Sequence, residues 1–160
     1  MGPIALWKLS AALRRRGLRG LAFLVKKVNS AIYHNSLPPG VQFEPDIEFG
    51  HHGFGTVIHS NVVIGRRVKI WQGATLAVRG ATGSQARIIV EDDVRIGAHA
   101  VIITPSERSL RIGRGAKIGA GAVVTEDVPA WATVVSPPPR IIERAAAGAE
   151  HVPEDAADQA

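Results

Sequence analysis

The sequence contains no cysteine, and this absence excludes three classes of protein or site at once. Without thiols there is no disulfide framework, no thiolate metal site and no cysteine nucleophile. The absence also fits a reducing compartment. Aromatic residues are scarce at 5%, whereas glycine occurs 17 times in 160 residues. A core made of isoleucine, valine and alanine with this much glycine favours narrow, tightly wound β structure.

Acidic residues are missing from the first 40 positions, which carry seven basic side chains. The remaining 120 residues therefore sum to a net charge of −2, although the whole chain carries +5. The high isoelectric point thus comes from the N-terminal segment. Long apolar runs are missing as well, because none approaches the roughly 20 residues that span a bilayer. The longest N-terminal run, LAFLV, is too short for the core of a signal peptide, so we expect a cytoplasmic protein.

The chain divides into three regions. Residues 1–40 form a basic segment, and we expect two helices in it, broken near Gly17 and Gly20. Apolar residues recur there at helical spacing: Leu6, Leu9, Leu13, Leu21, Leu24, Val25, Val28 and Ile32. Residues 41–142 are the main body. Residues 143–160 are acidic and rich in alanine, and we expect a disordered tail.

Branched aliphatic residues recur every six positions in the main body: Ile58, Ile64, Ile70, Leu76, Val90, Ile96, Ile102, Ile112, Ile118 and Val124. Glycine often follows directly, and a small residue comes four positions later, as in IGAHAV and IGAGAV. A period of six does not fit one helix face, but it fits a short strand followed by a tight turn. The pattern predicts an all-β solenoid of triangular coils with the aliphatic residues inside, and it disfavours an ordinary sandwich.

Three insertions interrupt the period. Three extra residues lie between Phe49 and Ile58, eight between Leu76 and Val90, and four between Ile102 and Ile112. Because an insertion bulges out of a coil, these are the places where we expect function.

These repeats resemble the hexapeptide-repeat acyltransferases, whose fold is a left-handed parallel β-helix. Within that family, HHGFGTVI, IWQGATLAV and RIGRGAKIGAGAVVTEDVPAWATVV are similar to segments of the serine acetyltransferases. The double histidine, the length and the short basic helical leader resemble more closely the colanic-acid type of exopolysaccharide O-acetyltransferase. The resemblance covers about residues 41–142 and implies a left-handed β-helix behind a short helical segment.

The resemblance implies transfer of an acetyl group from acetyl-CoA to an acceptor hydroxyl. His52 aligns with the catalytic histidine of the family, and an imidazole suits the general base of such a reaction. His51 replaces the aspartate that precedes this histidine in serine acetyltransferases, and it is either a second catalytic residue or a spacer. Three nearby carboxylates are candidates to replace that aspartate: Glu44, Asp46 and Glu48.

A developing oxyanion needs donors, and the backbone N–H of Gly53 or Gly73 is a candidate. No metal is expected, because a zinc site of the γ-carbonic-anhydrase kind needs two histidines five residues apart, and no pair here has that spacing. Without cysteine, direct attack in a ternary complex is the simplest mechanism.

By the same resemblance, acetyl-CoA lies in a groove between adjacent subunits of a homotrimer. The matching positions are small residues beside the pantetheine arm and basic or aromatic residues near the nucleotide: Gly97, Ala98, Gly115, Ala116, Ala120, Arg114, Lys117, Arg140 and Trp131. A solvated outer face is the alternative for the cations, and a cap on the last coil is the alternative for Trp131.

The acceptor is either a glycan or L-serine. The inserted loop AVRGATGSQARII carries Arg79 and Arg87, which suit a carboxylate or sugar hydroxyls, and Gln72 is a further substrate-binding candidate. Serine acetyltransferases have a long N-terminal helical domain, whereas about 40 residues stand here. We therefore favour a sugar or exopolysaccharide precursor, with L-serine as the alternative.

The basic helices either rest on the inner face of an anionic membrane or cap the open first coil with their leucines and valines, and we favour the cap. No nucleic-acid recognition motif is present, so no nucleic-acid partner is expected. An alternative of another class is a non-catalytic hexapeptide-repeat protein that assembles with a partner or binds a ligand.

Overall fold

A computed structural model describes residues 2–81, 84–138 and 140–142, which form a three-sided β-solenoid with two helices at one end. The helices are α1 (Pro3–Arg15) and α2 (Arg19–Tyr33). The strands that follow are β1 (Gln42–Phe43), β2 (Glu48–Phe49), β3 (Val57–Ile58), β4 (Val62–Ile64), β5 (Lys69–Ile70), β6 (Thr75–Ala77), β7 (Ile88–Val90), β8 (Arg95–Ile96), β9 (Val101–Ile103), β10 (Leu110–Ile112), β11 (Lys117–Ile118), β12 (Val123–Val124) and β13 (Thr133–Val134).

The strands form three parallel sheets, and each coil of the chain adds one strand to each. Sheet 1 has the order β1-β4-β7-β10, sheet 2 the order β2-β5-β8-β11-β13, and sheet 3 the order β3-β6-β9-β12. The chain turns at three corners between them. The charged corner, from sheet 1 to sheet 2, holds residues 44–47, 65–68, 91–94, 113–116 and 129–132. The histidine corner, from sheet 2 to sheet 3, holds residues 50–56, 71–74, 97–100 and 119–122. The loop corner, from sheet 3 back to sheet 1, holds residues 59–61, 78–81, 84–87, 104–109 and 125–127.

A column of aliphatic side chains fills the solenoid. All ten residues of the six-residue period are at most 4% exposed, and the small residues Ala74, Ala100, Ala116 and Ala122 are fully buried. Backbone hydrogen bonds join successive coils, as where Gly97 N–H donates to the carbonyl of Ile118 at 2.8 Å. The predicted solenoid, with its aliphatic residues pointing inward, is confirmed.

Helix α1 closes the open first coil with one large side chain. Trp7 is fully buried, stacks on Phe43 with ring centroids 4.2 Å apart, and lies 5.9 Å from the ring of Phe49. Its indole N–H donates to the carbonyl of Pro38 at 2.8 Å, so the polar atom of this aromatic plug is satisfied. The two predicted helices are present, and the break between them lies at Gly17, whose φ is +80°.

Helix α2 packs on α1 through a small polar face and turns its apolar stripe outward. Ala22 and Asn29 are buried, and Asn29 Nδ2 donates to the carbonyl of Pro3 at 3.0 Å. Five large apolar residues of α2 are instead 42–58% exposed: Leu21, Phe23, Leu24, Val28 and Ile32. The expectation that the leucines and valines of the helices cover the first coil is therefore wrong for α2. In α1 the residues that pack on the solenoid core are Trp7 and Ile4, and Leu9 is 40% exposed.

The predicted tail, residues 143–160, lies outside the described residues. In the part of the chain that the structure describes, neither helix is long and apolar enough to cross a bilayer.

Candidate active site

The first predicted insertion forms a tight turn that carries both candidate catalytic histidines. Residues Gly50–Gly53 form one 3-10 turn between β2 and β3. A Cβ on Gly50 would overlap the ring of Trp71, and a Cβ on Gly53 would overlap the ring of Phe49. The two glycines therefore let the turn lie flat on aromatic rings. His51 and His52 stand exposed on it, with left-handed φ values of 47° and 56°.

Aromatic side chains flank His52. The ring of Tyr33, at the end of α2, lies 6.1 Å from the ring of His52, and the ring of Phe54 lies 6.4 Å from it. Tyr33 and Phe54 are themselves 5.7 Å apart. Sequence reasoning missed both residues. Tyr33 is the only tyrosine of the chain and ends a helix, but no spacing rule connects it to a turn almost 20 residues later.

The candidate carboxylate partners of His52 lie elsewhere. Glu44 pairs with Arg66 at 3.6 Å, and Glu48 pairs with Lys69 at 3.3 Å. Among the described residues, no carboxylate forms an ion pair with His51 or His52. The imidazole of His52 therefore has aromatic neighbours in this chain in place of a charged partner.

Gln72 and three of the predicted acetyl-CoA contacts share the histidine corner with His52. Gly97, Ala98 and Ala120 lie two and three coils along from the histidine turn. A Cβ on Gly97 would overlap the backbone of Gly119 and Ala120, so the coils approach closely there. Gly73 N–H donates to the carbonyl of Phe54 at 2.7 Å, which removes it as an oxyanion donor and corrects that expectation. The side-chain oxygen of Gln72 is shielded from solvent and has no partner among the described residues.

The other predicted acetyl-CoA contacts lie away from this corner. Arg114, Gly115 and Ala116 are in the charged corner with Trp131, whose ring covers the face of Gly115 and is 71% exposed. Lys117 follows on β11, and Arg140 lies exposed beyond the last strand.

Arg114 is held by acidic groups of the same corner. Arg114 Nη2 lies 3.5 Å from Asp92, and its backbone N–H donates to Glu91 at 2.7 Å. The side chain of Arg111 and this backbone N–H together lower the pKa of the Glu91 carboxyl. Arg67 likewise lowers the pKa of Asp93 through a side-chain hydrogen bond. Arg114 is therefore partly neutralised within its own chain.

Both candidate acceptor-binding arginines lie in the loop corner. Arg79 N–H donates to the buried hydroxyl of Thr104 at 2.7 Å, and Arg87 N–H donates to Ser109 at 3.2 Å. Arg87 lines an open cavity of about 560 Å³ whose other polar lining residues include Gln42, His59, Ser60, Asn61 and Gln85. Sheet 3 separates this cavity from the histidine corner of the same chain.

The comparisons with known proteins point to one group. Residues 87–126 match a family described as the hexapeptide repeat of succinyl-transferase. A serine acetyltransferase of Bacillus subtilis is 34% identical over 143 residues, which covers 88% of this chain. The structure of Neisseria gonorrhoeae serine acetyltransferase in complex with serine matches 85% of this chain with a TM-score of 0.75 and 32% identity. A Brucella abortus serine acetyltransferase in complex with coenzyme A matches 87% with a TM-score of 0.75 and 28% identity.

The chain contains hexapeptide repeats and is similar over most of its length to serine acetyltransferases. Its solenoid is the left-handed parallel β-helix of those structures. The chain spans 64% of the Bacillus relative and 54% of the Neisseria chain. The names of these relatives refer to serine, which the sequence predicted as the alternative acceptor, and not to the favoured glycan.

Metal ligands do not cluster in this hexapeptide-repeat chain as far as it is described. Within those ranges no group of three or more histidine, aspartate or glutamate side chains is placed to hold an ion.

Proposed function

We propose that this protein is an acetyl-CoA-dependent O-acetyltransferase that acts on a hydroxyl of L-serine or a similar small acceptor. One observation carries the proposal: the exposed His52 shares a solenoid corner with the small residues Gly97, Ala98 and Ala120. The 32% identity with a serine acetyltransferase that binds serine supports it.

The proposed reaction is direct transfer. His52 removes the proton from the acceptor hydroxyl while the hydroxyl oxygen attacks the thioester carbonyl carbon. The carbonyl electrons move onto oxygen, where a hydrogen-bond donor of the corner stabilises the oxyanion. When the tetrahedral intermediate collapses, the C–S bond breaks and the coenzyme A sulfur takes the proton from His52. The products are the acetyl ester and free coenzyme A.

Small side chains in the late coils support a binding groove for the pantetheine arm. Gly97 has no side chain, and Ala98 and Ala120 carry only a methyl group, so the corner has little side-chain bulk beside an extended ligand. The proposed contacts of the nucleotide lie outside this corner: Arg114 and Trp131 in the charged corner, Lys117 on β11 and Arg140 beyond the last strand.

L-serine is the first candidate acceptor because the relatives that span most of this chain are serine acetyltransferases. A sugar hydroxyl, as in the colanic-acid type of O-acetyltransferase, is the second candidate. The cavity at the loop corner favours it, because amide and hydroxyl side chains of Gln42, Ser60, Asn61 and Gln85 line it beside Arg87. Groups of this kind suit a ligand with many hydroxyls.

A homotrimer with sites between subunits is part of the proposal. His52 and Arg87 lie on opposite sides of sheet 3 in one chain, so a site that uses both requires two chains. Mixing a His52→Asn protein with an Arg87→Ala protein tests this. Subunit exchange should restore activity at about a quarter of the sites of a random trimer. Mixtures no more active than their parents would contradict a shared site.

Acceptor profiling tests the function itself. The purified protein is incubated with acetyl-CoA and L-serine, L-homoserine, or nucleotide- and lipid-linked sugars, and thiol release and product mass are measured. Release with L-serine is the expected result, and release only with a sugar selects the second candidate. No release with any acceptor, together with no acetyl-CoA binding by calorimetry, would overturn the enzyme and favour a non-catalytic assembly.

Peripheral attachment to the inner face of an anionic membrane is a further part of the proposal. The exposed residues Leu18, Leu21, Phe23 and Leu24 lie among basic side chains in a segment without acids. The protein should therefore sediment with vesicles that contain phosphatidylglycerol and should not sediment with vesicles of phosphatidylcholine. A Leu21→Ser/Leu24→Ser variant that sediments like the wild type would contradict this attachment.

A further inference from the structure

In the histidine corner, His99 occupies a position that is glycine in the other coils. Successive coils place Gly55, Gly73, His99 and Gly121 at equivalent positions, all with left-handed φ between 55° and 69°. Backbone hydrogen bonds fix this register, because His99 N–H donates to the carbonyl of Gln72 and Gly121 N–H to the carbonyl of Ala98, both at 2.9 Å. A left-handed backbone costs any residue with a Cβ free energy that glycine avoids. The sequence therefore places an imidazole where the neighbouring coils have glycine.

The ring of His99 lies toward the histidine turn. A Cβ on Gly73 would overlap the Nδ1, Cε1 and Cγ atoms of His99, so the ring covers the bare face of Gly73 one coil nearer to His52. Coils stack about 4.8 Å apart, which puts the backbone of His99 about 10 Å from the coil of the histidine turn. The ring spans about half of that distance.

His99 is also free to bind a ligand. The residue is exposed, and its ring makes no hydrogen bond or ion pair within the described ranges. Its Nε2 atom is not among the three atoms that lie against Gly73, so it is the nitrogen farther from that residue. His99 directly follows Ala98, one of the proposed pantetheine contacts. The imidazole thus stands between the proposed base and the proposed coenzyme A groove.

We infer that His99 is a second catalytic imidazole, which donates a hydrogen bond from Nε2–H to the thioester carbonyl oxygen during transfer. This inference rests on the proposed function. As the acceptor oxygen bonds to the carbonyl carbon, negative charge develops on the carbonyl oxygen, and an oriented N–H stabilises it. His99 keeps its proton throughout, while His52 carries the proton from the acceptor to the sulfur. Position 73 has to be glycine, because any side chain there would overlap the ring of His99 in this position.

Replacement by glycine tests the inference without endangering the fold. His99→Gly restores the residue of the neighbouring coils and relieves the left-handed backbone, so its thermal midpoint should be no lower than that of the wild type. Its kcat should fall about 100-fold, the usual effect of removing one oxyanion donor, while the KM for acetyl-CoA stays within about twofold. His99→Asn tolerates the same backbone and keeps a donor of shorter reach, so it should be intermediate.

Arg67→Gly is the matched control. Arg67 also has a left-handed backbone, with φ of 54°, but it lies in the charged corner. Its replacement should leave kcat unchanged. A His99→Gly protein with kcat within about twofold of the wild type would overturn the role of His99 while the proposed function stands. A wild-type protein that transfers acetyl to no acceptor would overturn both.

Discussion

Single residues at the corners decide whether the coils can stack. Gly73 has a φ of +69°, and its bare face lies against the ring of His99. A side chain there meets both a disfavoured backbone and an occupied space. Gly20 is the opposite case, since it lies inside α2 and an added Cβ would meet nothing within 4 Å. Replacement by alanine should therefore destabilise the protein at Gly73 and stabilise it at Gly20.

Gly73→Ala should lower the free energy of unfolding by about 1–2 kcal/mol from the backbone alone, with a further loss from displacement of His99. Gly20→Ala should raise it by less than about 1 kcal/mol, the value for a helix interior, because alanine favours the helix and Gly20 is the second residue of α2. Urea denaturation of both variants measures the difference. A Gly73→Ala protein as stable as the wild type would show that the corner is not constrained in this way.

The strands have only two or three residues each. They are stable because their inward side chains belong to one continuous aliphatic column. Strand β8, for example, has two residues, and its Ile96 is fully buried between neighbouring coils. Ile96→Ala should cost about 2–5 kcal/mol, since the rigid coils around it cannot collapse into the cavity. Val123→Ala on β12, where the side chain is 64% exposed, should change stability by less than about 0.5 kcal/mol. If chemical denaturation showed equal losses of unfolding free energy for the two variants, the inward packing of the aliphatic column would be contradicted.

The inserted loop of the loop corner is held by a carboxylate. Glu107 accepts a hydrogen bond from the N–H of Ala81 at 2.8 Å, and this bond and that of Ser84 lower the pKa of Glu107. Because the folded pKa is lowered, the contact is complete above the ordinary value of 4.5 and is lost as pH falls through the lower folded value.

The amide resonance of Ala81 should therefore shift in an NMR titration with a midpoint below pH 4.5. In Glu107→Gln, which has no proton to gain there, that transition should be missing. A midpoint at or above 4.5 in the wild type would contradict the hydrogen bond.

The six-residue period predicted the coils but not the corner that each residue occupies. An uninterrupted coil of three hexads has 18 residues, so Gly97 and Gly115 look equivalent in the sequence. The four extra residues between Ile102 and Ile112 change this, because Arg95 pairs with Lys117, 22 positions later. Gly97 is therefore equivalent to Gly119, and Gly115 lies in the charged corner. An insertion shifts the following residues to another corner, and the six-residue period alone does not show how far.

At the scale of the whole molecule, helices and solenoid together make the surroundings of His52. The histidine turn was predictable because it interrupts a regular repeat. Tyr33 was not, because it comes from α2, whose position depends on how Trp7 seats α1 in the first coil. The outward stripe of α2 was also missed, because helical periodicity shows that one face is apolar but not what covers it.

We propose that acetyl transfer takes place at the histidine corner with His52 as the base. His52→Asn tests it most directly, since asparagine tolerates the left-handed backbone of this exposed turn. With the acceptor that the wild type uses, kcat should fall by about 100- to 10,000-fold while acetyl-CoA still binds by calorimetry. A variant that transfers acetyl within a few-fold of the wild-type rate would contradict the account.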